Sequence, residues 1–99
     1  MSGRLYRLRA PPQVVTIIRT LHPQIKRKVR TALASILAKP HSGKALKDDL
    51  AGLRSFRVSR FRIIYRIRPG RLIEIIAVAP RDRIYEETYR LIARNPTWM

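Results

Sequence analysis

The 99-residue chain has no cysteine and only six acidic residues, none of them before Asp48. The first absence excludes disulfide staples and thiolate metal sites. The second leaves 22 lysines and arginines almost unopposed, for a formal net charge of +16. No apolar run approaches the ~18 residues of a membrane span. The opening Met-Ser-Gly-Arg-Leu-Tyr-Arg-Leu-Arg lacks the apolar centre of a secretory signal. The two histidines, His22 and His41, are far apart with no third partner and read as surface residues rather than metal ligands. There is no internal repeat and no low-complexity segment. These absences lead us to expect a cytoplasmic protein that carries no metal and no cofactor.

What is present is enough apolar residue, 45% of the chain, for one domain with one core. We expect that domain to span 1–94, with a tail at 95–99. A basic excess of this size repels itself in the compact state and attracts polyanions, so nucleic acid or an acidic protein is the expected partner.

Periodicity sketches the elements. Leu5 to Arg9 alternates apolar and basic residues, as a short strand does. Pro12 and Pro23 each suit the first position of a helix. Val14, Ile17, Ile18 and Leu21 recur at helical spacing. So do Ile25, Val29, Ala32, Leu33, Ile36 and Leu37, predicting two antiparallel helices. Lys44 to Gly52 reads as a loop with Leu46 and Leu50 as anchors. Strands are predicted at Arg54 to Val58, Phe61 to Arg68 and Leu72 to Ala79. Pro69-Gly70 fits the centre of a type II turn. Ser59-Arg60 suits a two-residue hairpin poorly, so a longer turn is expected there. Ile84 to Ala93 closes the fold as a helix. The order strand-helix-helix-strand-strand-strand-helix predicts an α+β domain. Its sheet is mainly antiparallel, with a helical hairpin on one face.

The other face is predicted to carry arginines. Between Leu53 and Arg71 lie Arg54, Arg57, Arg60, Arg62, Arg66, Arg68 and Arg71, with no acid or lysine among them. Alternation seats Phe61, Ile63, Tyr65 and Ile67 in the core and sends Arg62, Arg66 and Arg68 outward. The guanidinium fork matches phosphate oxygens, so a row of them on a sheet is a phosphate-binding surface. Arg54, Arg57, Arg60 and Arg66 are the candidate phosphate contacts.

Leu50 to Ile67, Leu-Ala-Gly-Leu-Arg-Ser-Phe-Arg-Val-Ser-Arg-Phe-Arg-Ile-Ile-Tyr-Arg-Ile, resembles the signature of the RelE/ParE toxin superfamily. So does Ile76 to Glu86, Ile-Ala-Val-Ala-Pro-Arg-Asp-Arg-Ile-Tyr-Glu. Lys39-Pro40 and the Lys-x-Leu at Lys44 to Leu46 fall where that superfamily has them. The resemblance implies a toxin of a type II toxin–antitoxin system, neutralised by a cognate antitoxin protein. It implies one of two activities. RelE-like members cut messenger RNA without a metal, often on the ribosome. ParE-like members inhibit DNA gyrase and cut no RNA.

Carried onto this chain, the RelE-like arginines fall on Arg62 and Arg81 and the C-terminal tyrosine on Tyr85. These three are the candidate catalytic residues. The pattern is incomplete. RelE uses lysines on the strand where this chain has Arg54 and Arg57, and related nucleases have a histidine where Pro80 stands. Cleavage of RNA by its own 2′-hydroxyl requires deprotonation of that hydroxyl, stabilisation of a phosphorane-like state and protonation of the leaving 5′-oxygen. Arg62 and Arg81 answer the second need. Tyr85 could act as base or as a surface on which a nucleotide stacks. A basic nucleic-acid-binding module without toxicity would need only the charge.

Overall fold

Strand β4 (Phe61–Arg68) has apolar side chains at both Ile63 and Ile64, and strand neighbours point to opposite faces. Both faces of the sheet around it therefore need cover. The computed structural model, which describes residues 5–94, supplies it from two sides. The expected tail at 95–99, with Trp98, lies outside the described residues. The sheet has five strands: β1 (Arg7–Arg9), β2 (Lys44–Ala45), β3 (Arg54–Val58), β4 and β5 (Leu72–Pro80), in the spatial order β1-β5-β4-β3-β2. Neighbours pair antiparallel except β1, which lies parallel to β5 with Arg7 opposite Leu72.

On one face lie helices α1 (Pro12–Thr20) and α2 (Pro23–Ala38). Val14, Val29, Ala32 and Ile36 pack there with Val58, Ile63, Tyr65, Ile73, Ile75 and Val78. Each helix begins on a proline, as expected, and α2 gains a cap where His22 Nδ1 accepts the Gln24 N–H at 3.2 Å. The predicted α2 stripe is the packed one. In α1 the prediction fails at Ile17, which is exposed while Val14, Ile18 and Leu21 turn inward.

Helix α3 (Ile84–Arg94) covers the opposite face. Ile84, Leu91 and Ile92 close over Ile64, Ala77 and Ala79, with Leu50 and Leu53. This corrects the expectation that arginines hold that face alone. Ile64 breaks the row, leaving Arg62 towards one end of the strand and Arg66 and Arg68 towards the other. A bulge in β5 assists: pairing steps from Ile64–Ala77 to Tyr65–Ile75, so Ile76 is the extra residue and joins the α3 core.

Three local readings also change. The stretch from Lys44 to Gly52 contains β2 and a 3-10 turn (Asp48–Leu50), although Leu46 and Leu50 anchor it as expected. The first strand is shorter, and Leu5 lies in solvent. The β4–β5 connection uses Gly70 at φ 82°, as a type II turn requires, but runs one residue further through Arg71 at φ 57°.

Tyr65 ties the two halves of the chain together. Its ring is fully buried, its hydroxyl donates to the Pro40 carbonyl at 2.7 Å, and it accepts the Gly43 N–H at 3.0 Å. A Cβ on Gly43 would sit 2.5 Å from that hydroxyl oxygen, so the position is glycine for lack of space. Tyr65→Phe removes the hydroxyl and leaves two buried backbone groups unpaired. The expected loss is about 1–3 kcal/mol in urea unfolding; an unchanged midpoint would show that the knot contributes nothing.

Candidate nucleic-acid interface

The β3–β4 register sets Arg57 directly opposite Arg62. Like charges in that relation destabilise a sheet. Further along the same face the register instead sets Arg66 opposite Glu74, with Nε to Oε1 at 2.8 Å, and Arg68 Nη1 approaches the same carboxylate at 3.6 Å. One end of the face has an ion-paired acid and the other has none among the described residues. Among the described residues neither Arg57 nor Arg62 has a carboxylate partner. Packing gives no reason for such a pair, and adjacent guanidiniums suit an anion.

Arg62 is half-buried, and its Nη1 donates to Ser55 Oγ at 3.0 Å. Ser55 is buried, so its hydroxyl offers a fixed acceptor beneath the guanidinium. The remaining guanidinium donors stay available. The sequence shows Ser55 only as a small residue between arginines; its role depends on the diagonal across the two strands.

Arg60 and Arg81 stand at the same end of the sheet. The Arg81 N–H donates to the Arg60 carbonyl at 2.7 Å, one step past the Phe61–Pro80 pair. Arg62 lies opposite Ala79, two residues before Arg81, so the two predicted catalytic arginines stand at one end of the sheet, Arg62 in β4 and Arg81 just past the end of β5. The same alternation aims the Pro80 nitrogen away from β4, to a side that β1, paired only with Leu72 to Glu74, does not reach. Proline therefore costs no ladder hydrogen bond there. Arg60, Arg81 and Arg83 are all exposed. Helix α3 starts three residues after Arg81, putting Tyr85 in its first turn with 41% of its surface exposed.

Two candidates lie elsewhere. Arg54 sits opposite Tyr65, on the helical-hairpin side, and donates to the carbonyls of Gly43 at 2.7 Å and His41 at 3.2 Å. It clamps the loop that Tyr65 holds. Arg66 is engaged by Glu74. The cluster at the hairpin end is thus Arg57, Arg60, Arg62 and Arg81. Among the described residues no three acids or histidines are grouped to hold a metal, and no helix is long and apolar enough to cross a membrane.

Strain marks the same end. Val58 pairs with Phe61, so the β3–β4 turn has only two residues, and the longer turn expected from its composition is not formed. Ser59 takes the left-handed conformation instead, at φ 56°. That geometry costs a non-glycine residue on the order of 1 kcal/mol.

Comparison with known proteins agrees with this architecture. The family model for the ParE toxin of the type II toxin–antitoxin system parDE matches residues 9–85. Fold and match together place the chain in a defined class, the small α+β toxins of such systems. The chain belongs to the RelE/ParE family of type II toxins. It is similar to a chain of the RelBE2 toxin–antitoxin complex of Mycobacterium tuberculosis, at 29% identity and TM-score 0.68, covering 78% of this chain and 99% of that one. An Escherichia coli RelE mutant in the free state shares the fold at TM-score 0.71 and 16% identity, covering 91% and 96%. An archaeal RelE–RelB complex from Pyrococcus horikoshii gives 0.66 at 23% identity, covering 80% and 98%. No curated protein sequence matches the chain.

Ser59→Gly should relieve the strained turn and raise the unfolding free energy by about 1 kcal/mol. A thermal or urea midpoint at or below that of the parent would show the turn to be unstrained.

Proposed function

We propose that this toxin is a metal-independent endoribonuclease that cuts messenger RNA, on or off the ribosome, and so arrests translation. The observation that carries the proposal is the unneutralised Arg57–Arg62 pair beside Arg60 and Arg81. Its chemistry is that of a phosphate cradle. In the reaction the 2′-hydroxyl gives up its proton as its oxygen attacks the adjacent phosphorus, a phosphorane-like state gathers negative charge, and the 5′-oxygen leaves with a proton, giving a 2′,3′-cyclic phosphate and a 5′-hydroxyl. Arg62 and Arg81 stabilise that charge, acting most strongly where it develops. Arg57 and Arg60 hold flanking phosphates. Guanidinium groups keep their protons, so in this set Tyr85 is the side chain able to exchange one. Arg54 and Arg66, spent on the loop and on Glu74, support the scaffold. Solved relatives are complexes of RelE with RelB antitoxins, which supports an antitoxin as the partner of this chain in the cytoplasm. An acidic antitoxin would also complement a charge of +16.

A second reading is favoured by one observation, the match to the ParE family model. In it the same arginines bind DNA gyrase and no RNA is cut. Induced expression separates the two, followed by primer extension on cellular messages and a plasmid supercoiling assay. New 5′ ends with normal supercoiling are expected; intact messages with altered supercoiling would transfer the protein to the second reading. Arg81→Ala should abolish growth arrest while the variant still folds, and arrest at the parental level would remove Arg81 from the site.

Ser55→Ala should weaken activity by roughly tenfold through the misplaced guanidinium of Arg62, about what one hydrogen bond to a charged group contributes. In an Arg62→Ala background the same change should have no further effect. Additive losses in the double variant would mean that Ser55 acts independently of Arg62.

A further inference from the structure

Helix α3 leaves two tyrosines uncovered. Tyr85 and Tyr89 are 41% and 48% exposed, while the other described aromatics, Tyr6, Phe56, Phe61 and Tyr65, all pack into or against the hairpin core. The helix does not need the two tyrosines to dock. Ile84, Thr88, Leu91 and Ile92 form its inward face, with the Thr88 hydroxyl turned back onto the Ile84 carbonyl at 2.7 Å. Residues four apart lie one above the other on a helix, so Tyr85 and Tyr89 make one aromatic stripe. It starts four residues beyond Arg81.

Acids accompany the stripe. Glu86 is exposed next to Tyr85, and Glu87 pairs with Arg90 at 3.0 Å on the helix flank away from the tyrosines. Carboxylates suit the first turn of a helix. They also repel a phosphate backbone. Glu86 is thus the acid left beside the stripe, so a polyanion held by Arg57, Arg60, Arg62 and Arg81 finds the tyrosine side of α3 unfavourable for its phosphates and favourable for flat, uncharged rings.

We propose that Tyr85 and Tyr89 form a base-stacking platform for single-stranded RNA, with Tyr89 as a second nucleotide position one helical turn beyond Tyr85. The platform makes single-strandedness the condition for productive binding. In a duplex the bases are enclosed and only phosphates would meet the rings and Glu86. In a single strand the bases turn outward, and each tyrosine ring can take one without regard to its identity. The proposal rests on the arginine cluster being the phosphate site, but not on cleavage.

The test is binding of the full chain to a short 2′-O-methyl RNA, which cannot be cut, alone and annealed to its complement. Tyr89→Ala should weaken single-strand binding by roughly 5- to 150-fold, the range of one lost stacked base, without changing the salt slope. Tyr89→Phe should bind as the parent does, since the ring is what stacks. Removing one base from the oligonucleotide, at the position next to the one on Tyr85, should erase the difference between parent and Tyr89→Ala. Parental single-strand affinity in a folded Tyr89→Ala variant would overturn the proposal. Equal parental affinity for duplex and single strand would do the same, as would loss of antitoxin binding alone. Stacking without any cut in an unmodified RNA would leave the platform standing and remove the nuclease reading.

Discussion

The burial of β4 on both faces fixes where the arginines of this molecule stand. Ile63 points into the helical-hairpin core and Ile64 into the core under α3, so a slip by one residue would drive Arg62 or Arg66 into the hairpin core in place of Ile63 or Tyr65. That lock sets Arg57 against Arg62, Arg62 against Ala79, and Arg60 beside Arg81. Repulsion between guanidiniums would favour separation. Apolar packing on either side of the sheet prevents it, and Ser55 holds one member of the pair in place. The site is a cost that the two cores support.

Electrostatics is divided unevenly within one sheet face. Glu74 serves Arg66 and Arg68, whereas among the described residues no arginine of the hairpin-end cluster forms an ion pair. A single acid thus separates arginines that have a carboxylate partner from those that do not. The helical hairpin, purely basic because no acid precedes Asp48, adds to the field around the cluster and makes any polyanion approach faster.

The elements were readable wherever one residue pattern had one physical meaning. Alternation in Phe61 to Arg68 and the apolar stripe of α2 fall in the structure where periodicity puts them. The cover over the second face was also visible in principle, because adjacent Ile63 and Ile64 cannot share a side. Long-range geometry was not legible. Arg54 looks like Arg57 in the sequence, yet parity places it opposite Tyr65, where carbonyls of the loop after α2 claim it. Arg66 looks like Arg62, and only the β4–β5 register shows that Glu74 faces it. Strand β2, with two residues, carries no periodic signal at all. The tight turn at Ser59 defies its composition because pairing on both sides outweighs a local cost of about 1 kcal/mol.

The parallel pairing of β1 with β5 has a consequence for how the protein is born. Arg7 finds its partner, Leu72, only across most of the chain, and closing so long a loop is entropically slow. The β3–β4–β5 meander involves short loops and can form first. During synthesis the amino-terminal strand and α1, which rest on β5, must wait until that strand has been made, whereas α2 can already pack against β3. The arginine cluster, which includes Arg81 just past β5, is likewise complete only when most of the chain has been made.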